Sequence, residues 1–179
     1  MTASVLRRVA TSEIETPIGP MLAAASDTHL LLFEFPRRRM IETQLDRVRR
    51  AHDCELVAGE SPVFAMVRSQ LEEYFRGDRR EFTLPLHVPG TPFQMRVWSA
   101  LQRIPCGTTT TYAGLARTIG QPNAIRAVAR ANGDNRIAII IPCHRVIGSN
   151  GELVGYGGGL WRKKKLLELE GRAETLPLL

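Results

Sequence analysis

Cysteine is scarce in this chain. There are three, Cys54, Cys106 and Cys143, an odd number whose spacings form no pair motif. A disulfide framework or a structural zinc site is therefore not expected, and a reducing compartment is the default. The four histidines, His29, His52, His87 and His144, are scattered without metal-ligand spacing. No apolar run approaches the length of a bilayer span. The basic opening MTASVLRRVATS is followed by no signal-peptide core and reads as a frayed terminus leading into a strand. Repeats and low-complexity segments are absent. Acidic residues are outnumbered, 18 against 24 basic ones, giving a net charge of +6. That excess points weakly to a polyanionic partner.

What is present reads as a soluble globular chain, 44% hydrophobic and 23% charged over 179 residues. This length suits one ordinary domain or two small ones sharing an interface. Residues 12 to 35 alternate as β-structure, with Pro17, Gly19 and Pro20 as turn punctuation. RRRMIETQLDRVRR reads as an exposed basic helix. SPVFAMVRSQLEEYFRG reads as a second, with Ser61 as cap, Pro62 in the first turn and Gly77 as stop. REFTLPLHV is extended. Pro89, Gly90 and Pro92 mark the boundary, so domains are expected at 1–90 and 91–179. The second half reads as helices over FQMRVWSALQRI, TTYAGLARTIG and PNAIRAVARANG. A strand RIAIII, a glycine-rich loop and a last helix LWRKKKLLELE ended by Gly171 follow.

Two patterns carry chemistry. TTYAGLARTIGQPNAIRAVARANGDN has the grammar of a helix-turn-helix: Gly120 closes one helix and Pro122 fits the start of the next. At about 100° per residue, Ile125, Val128 and Ala129 share a core face. Ala124, Ala127 and Ala131 share another, flanked by Arg126 and Arg130. Alanine cannot hydrogen-bond a base edge, but it permits close approach to a narrow groove, with arginine for phosphates or insertion. Close helix–helix packing with solvated arginines explains the pattern equally well.

The other pattern is IIIPCHRVIG. A nucleophilic cysteine needs a base or cation to supply thiolate. In an extended segment Cys143 and His144 point to opposite faces, so His144 can act only across a turn or through a water. A bare Cys-His dipeptide is more often structural. The last helix changes the balance: Glu170 falls on the apolar arc of Leu160, Leu166 and Leu167, and Lys163 lies nearly above it. A carboxylate there needs a partner, either a histidine that it orients or Lys163 itself. The tripeptide Ile-Pro-Cys recurs at 104–106 but is followed by glycine, so Cys106 is read as non-catalytic.

Together, IPCHRVIGSNGELVGYGGGLWRKKKLLELEG, FQMRVWSALQRIPCGTTTTYAGLA, AIRAVARANGDN and TPIGPMLAAAS resemble the O6-alkylguanine-DNA alkyltransferases. The resemblance is dense over 91–171. It implies an α+β chain: a small ribonuclease H-like domain with an antiparallel sheet, then a mostly helical domain with a winged-helix-like helix-turn-helix. It also implies direct repair of double-stranded DNA bound through the minor groove. The alkylated guanine, or less efficiently O4-alkylthymine, is flipped out and its alkyl group moves once and irreversibly to Cys143.

By the same resemblance His144 draws the thiol proton through a water, Glu170 orients the imidazole and Asn135 braces the turn. Tyr112, Lys163, the carbonyls of Cys143 and Val146 and the N–H groups near Tyr156 and Gly157 handle the base. Arg126 fills the vacated stack, and Arg130 with Ala124, Ala127 and Ala131 lies on the DNA. No cofactor, metal or membrane is implied. A cytoplasmic monomer is expected, with cooperativity along DNA left open. Asn132 stands where some members carry Met, and Gly157 and Gly158 suggest a roomier loop tolerant of larger alkyl groups. Alternatives from other classes are a damage-binding module without transfer chemistry, a cysteine hydrolase and a transcription regulator.

Overall fold

The structure, a computed structural model, describes residues 7–171. The opening residues read as frayed lie outside that range up to Leu6. Strands β1 (Arg7–Ile14), β2 (Met21–Ala25) and β3 (Leu30–Glu34) form where alternation and turn residues placed them. Gly19 makes the first turn at φ +104°, a left-handed value that favours glycine. Helix α1 (Ile41–His52) starts later than the sequence suggests, because the preceding arginines sit in turns. It returns the chain as a strand that the sequence reading missed, β4 (Cys54–Ala58).

The sheet order is β3-β2-β1-β4. Pairs β1–β2 and β2–β3 are antiparallel, but β1–β4 is parallel, so the expected antiparallel sheet is mixed. The reason is the crossover: a helix between β3 and β4 reverses the chain before it rejoins the sheet. Helix α2 (Pro62–Phe75) starts as expected, Ser61 Oγ accepting from Val63 N at 3.2 Å. The extended segment after it brackets the start of β3, with Leu30 N donating to Pro85 O at 2.8 Å and His87 N to Leu30 O at 3.0 Å.

The second half opens with α3 (Pro92–Gln102), held by a capping box between Thr91 and Gln94. Next come β5 (Thr110–Thr111), α4 (Tyr112–Thr118) and α5 (Ile125–Gly133). The last elements are β6 (Val146–Ile147) and α6 (Leu160–Leu169). β5 and β6 form a two-residue parallel ladder. Gly120, at φ +71°, ends α4 in a Schellman arrangement, with Gln121 N donating to Ala116 O. Pro122 does not open the next helix, which begins at Ile125 after a turn.

The run expected as the strand RIAIII is not one. It makes a single bridge, Phe33 to Ile137, and then turns. Ile139 sits at φ +71°, which breaks any extended run. Its apolar character reports burial, since short apolar runs read alike whatever their backbone. Phe33 N donates to Arg136 O at 2.8 Å and Ala138 N to Phe33 O at 2.7 Å, stitching the sheet to this turn. One buried cluster consequently runs through both halves, from Phe33, Phe64 and Tyr74 to Val97, Ile139, Cys143 and Leu166.

Candidate active site

Cys143, His144 and Arg145 form one turn of 3₁₀ helix between the irregular run and β6. Cys143 N donates to Ile141 O at 2.8 Å, and Arg145 N to Pro142 O at 3.0 Å. The cysteine and histidine therefore sit on one turn rather than in an extended segment, and no hydrogen bond joins their side chains. Asn135 is the brace: its Nδ2 donates to Ile141 O at 2.9 Å, and its Oδ1 accepts from Ile137 N at 3.0 Å. These bonds satisfy backbone that a strand ladder would otherwise pair.

Behind the turn stands Glu170, just past the last turn of α6. His144 Nε2 lies 2.8 Å from its Oε1. Arg145 donates to both oxygens, Nε to Oε2 and Nη2 to Oε1, each at 2.9 Å. Tyr74 of α2 donates its hydroxyl to Oε1 at 2.7 Å. Against the burial that alone would raise it, His144 and Arg145 hold the carboxyl well below its usual range. The alternative of a Lys163–Glu170 pair is not what forms. Lys163, fully buried, donates Nζ to Val146 O and Val154 O, both at 2.6 Å, and ties β6 to the glycine-rich loop. Burial lowers its pKa from 10.5 to about 8.

Burial pushes the Cys143 thiol up, opposed by the Asn135 side chain beside it. Burial also lowers His144, outweighing Glu170, so the ring is neutral near pH 7. Its Nε2–H then points at Glu170, which leaves Nδ1 with its lone pair. Nδ1 is buried and has no hydrogen-bond partner within the protein. The arrangement holds a protonated thiol on the same turn as a neutral, oriented imidazole.

The glycine-rich loop covers this site. A side-chain carbon on Gly155 would lie 3.2 Å from the Tyr112 hydroxyl. The Tyr156 hydroxyl is buried without a partner. The expectation of free room at Gly157 and Gly158 is corrected. A carbon on Gly157 would meet the Arg38 guanidinium at 2.7 Å, and one on Gly158 would meet the Phe35 ring at 2.4 Å. Both glycines are filled against by the smaller domain. Cys143 is only 7% exposed. A cleft of about 740 Å³ is lined by Pro142 and Arg145 but not by Cys143, Tyr112 or Tyr156.

On α5, Arg126, Ala127 and Arg130 are exposed and Ala124 is half-buried. Ala131 leaves the expected outward stripe: it is buried, and its carbonyl accepts from Trp98 Nε1 at 2.9 Å. Ile125, expected in the core, is 42% exposed. The buried arc is Val128, Ala131 and Asn132, rotated because α3 rather than the sheet packs against the helix. Asn132 Oδ1 is buried and unpaired. The sequence reading missed Tyr74 and Arg38. It passed over Arg145, whose place directly after Cys-His was the available signal. Among the described residues no helix is long and apolar enough to cross a membrane, and no group of three or more His, Cys, Asp or Glu could hold a metal.

Residues 9–88 match the family described as 6-O-methylguanine DNA methyltransferase, ribonuclease-like domain, and residues 92–172 match its DNA binding domain. A methylated-DNA–protein-cysteine methyltransferase of Mycobacterium leprae is 45% identical over 159 residues, 88% of this chain and 89% of its own. The constitutive protein of that name in Bacillus subtilis is 39% identical over 86% of this chain and 89% of its own. The Mycobacterium tuberculosis OGT structure in complex with DNA superposes with a TM-score of 0.76 at 44% identity, covering 91% of this chain and 92% of that one.

Proposed function

The chain belongs to the 6-O-methylguanine DNA methyltransferase family, and from that premise we propose that it repairs alkylated DNA by moving the alkyl group from O6 of guanine to Cys143 Sγ. The observation that carries this is the neutral His144, tied to Glu170 through Nε2 and presenting an unpaired buried Nδ1 on the same turn as a buried thiol. A water between them passes the thiol proton to Nδ1. Sγ attacks the alkyl carbon, the C–O bond breaks, and its electron pair leaves with the base. Tyr112 returns a proton to that base, and Lys163 supports the charge that develops. Val146 O keeps one lone pair for the exocyclic amine, its other being used by Lys163. The N–H groups near Tyr156 and Gly157 face O6. The product is a thioether, which water does not cleave, so each molecule acts once.

The guanine reaches Cys143 flipped out of the duplex. Arg126 and Arg130, with Ala127 between them and Ala124 beside them, form the minor-groove face, Arg126 filling the gap in the stack. O4-alkylthymine is a poorer substrate. Residues 1–90 and 91–179 are the two domains, working as a cytoplasmic monomer. Mass spectrometry after mixing with a duplex carrying one O6-methylguanine tests the reading. One methyl gained on the Cys143 peptide, saturating at one per chain, is expected. Gain on Cys106, or turnover beyond one, overturns it. DNA bound without transfer leaves a damage-binding protein.

A further inference from the structure

The loop from Gly155 to Gly159 is held between two surfaces. Its inner side faces Tyr112 and Cys143; its outer side carries Arg38 and Phe35, both from the smaller domain. Arg38 is not a loose surface arginine. Its side chain is 10% exposed. It pairs with the buried Glu34 of β3, and donates to Asn135 O at 3.1 Å and to Gly133 O. Three oxygens from two domains thus fix its guanidinium directly against the Gly157 backbone, where not even a methyl group fits. Phe35 continues the wall beside it, and Arg162 closes over Phe35 with its guanidinium 4.5 Å from the ring centroid.

Cys143 is nearly closed off in this arrangement. Outward movement of the loop, toward Arg38, is the direction in which room for a larger group at O6 would open. We propose that Arg38 is a size-determining latch: by backing Gly157 it limits how far the loop retreats, and so sets the largest alkyl group that Cys143 accepts. This rests on the alkyl-transfer reading above. Methyl needs little retreat and is accepted with the latch in place. A benzyl group needs more, and works against the three hydrogen bonds of Arg38, one of them its ion pair with Glu34.

The test compares second-order transfer rates for O6-methylguanine and O6-benzylguanine in the same duplex, with Cys143 occupancy read by mass spectrometry. Arg38→Ala is expected to raise the benzyl-to-methyl rate ratio about tenfold, the scale of discrimination a pocket wall provides. Arg38→Lys, which keeps charge but loses the flat guanidinium, is expected to fall between. Gly157→Ala in the Arg38 background is expected to distort the loop and slow transfer, and Arg38→Ala added to it to recover part of the loss. An unchanged ratio in a variant that melts as a folded protein overturns the latch. A wild-type chain that transfers neither group overturns the alkyl-transfer reading and the latch with it, so the two failures are distinguishable. Should Arg38→Ala not fold, the Arg38→Lys ratio decides, since an unshifted ratio there also overturns the latch.

Discussion

Glu170 is bonded by Tyr74, His144 and Arg145, and each of those partners depends on its charge. Replacing it with Gln leaves Arg145 buried without a counter-charge, at a cost of about 3–5 kcal/mol. Glu170→Gln is therefore expected to lower the melting temperature sharply and to slow transfer, since nothing then fixes the His144 tautomer. The linkage sign follows from its depressed pKa. A carboxylate held lower in the folded state stabilises above its ordinary value of 4.5 and loses that stabilisation as pH falls below it. Acid titration followed by circular dichroism should show this loss in the native chain and its absence in Glu170→Gln.

The transfer rate itself is expected to be bounded on both sides. Burial lowers His144 below the ordinary histidine value, so on the acid side the ring gains a proton and can no longer accept one, and near pH 8 Lys163 loses the charge that supports the leaving base. A pH–rate profile of methyl transfer checks both limbs, and substituting Lys163 should remove the upper one. Cys143→Ser should end transfer while leaving DNA binding, whereas Cys106→Ser should leave transfer intact.

At the scale of elements, α5 carries the DNA prediction. Arg126→Ala is expected to weaken repair while preserving the fold, and to reduce the slope of log affinity against log salt by about one. The same helix shows what the sequence could and could not convey. Its arginines were readable from the charge pattern, but its start was not, since Pro122 was expected to open it and it begins at Ile125. Its orientation was not, because alanine suits both a buried contact and a groove, and only Trp98 reaching the Ala131 carbonyl decides between them. The active-site turn follows the same logic. Cys143, His144 and Glu170 were legible by their chemical type and order, and Asn135 only through the family resemblance. RIAIII was misread as a strand because burial and not pairing explains its isoleucines, and a side chain, Asn135, supplies the backbone bonds. β4 went unseen because five residues after a helix carry too little alternation to announce a strand.

At the scale of the whole molecule, the two domains share one core and several bonds that cross between them. Tyr74 reaches Glu170 at 2.7 Å, Arg162 Nε reaches Ile18 O at 2.7 Å, and Arg47 pairs with Asp134 at 3.0 Å. Thermal unfolding is accordingly expected as one transition, with calorimetric and van't Hoff enthalpies equal. Tyr74→Phe should lower that transition by about 1.5–3 kcal/mol, the worth of a hydrogen bond to a charged group. It should not split the transition in two. None of these partners could be paired from sequence, since the residues concerned lie from 87 to 144 positions apart in the chain.

The Glu170 carboxylate also imposes an order in time. Synthesis delivers Tyr74 first, the Cys143–Arg145 turn much later, and Glu170 later still. A nascent chain that has passed the nucleophile but not the carboxylate holds an arginine and a histidine that cannot yet be buried together. The smaller domain can form its sheet in the meantime, as early segments do. On the proposed alkyl-transfer reading, the Cys143 site is complete only once α6 brings Glu170 to His144, so the last helix of the chain supplies the last part of the site.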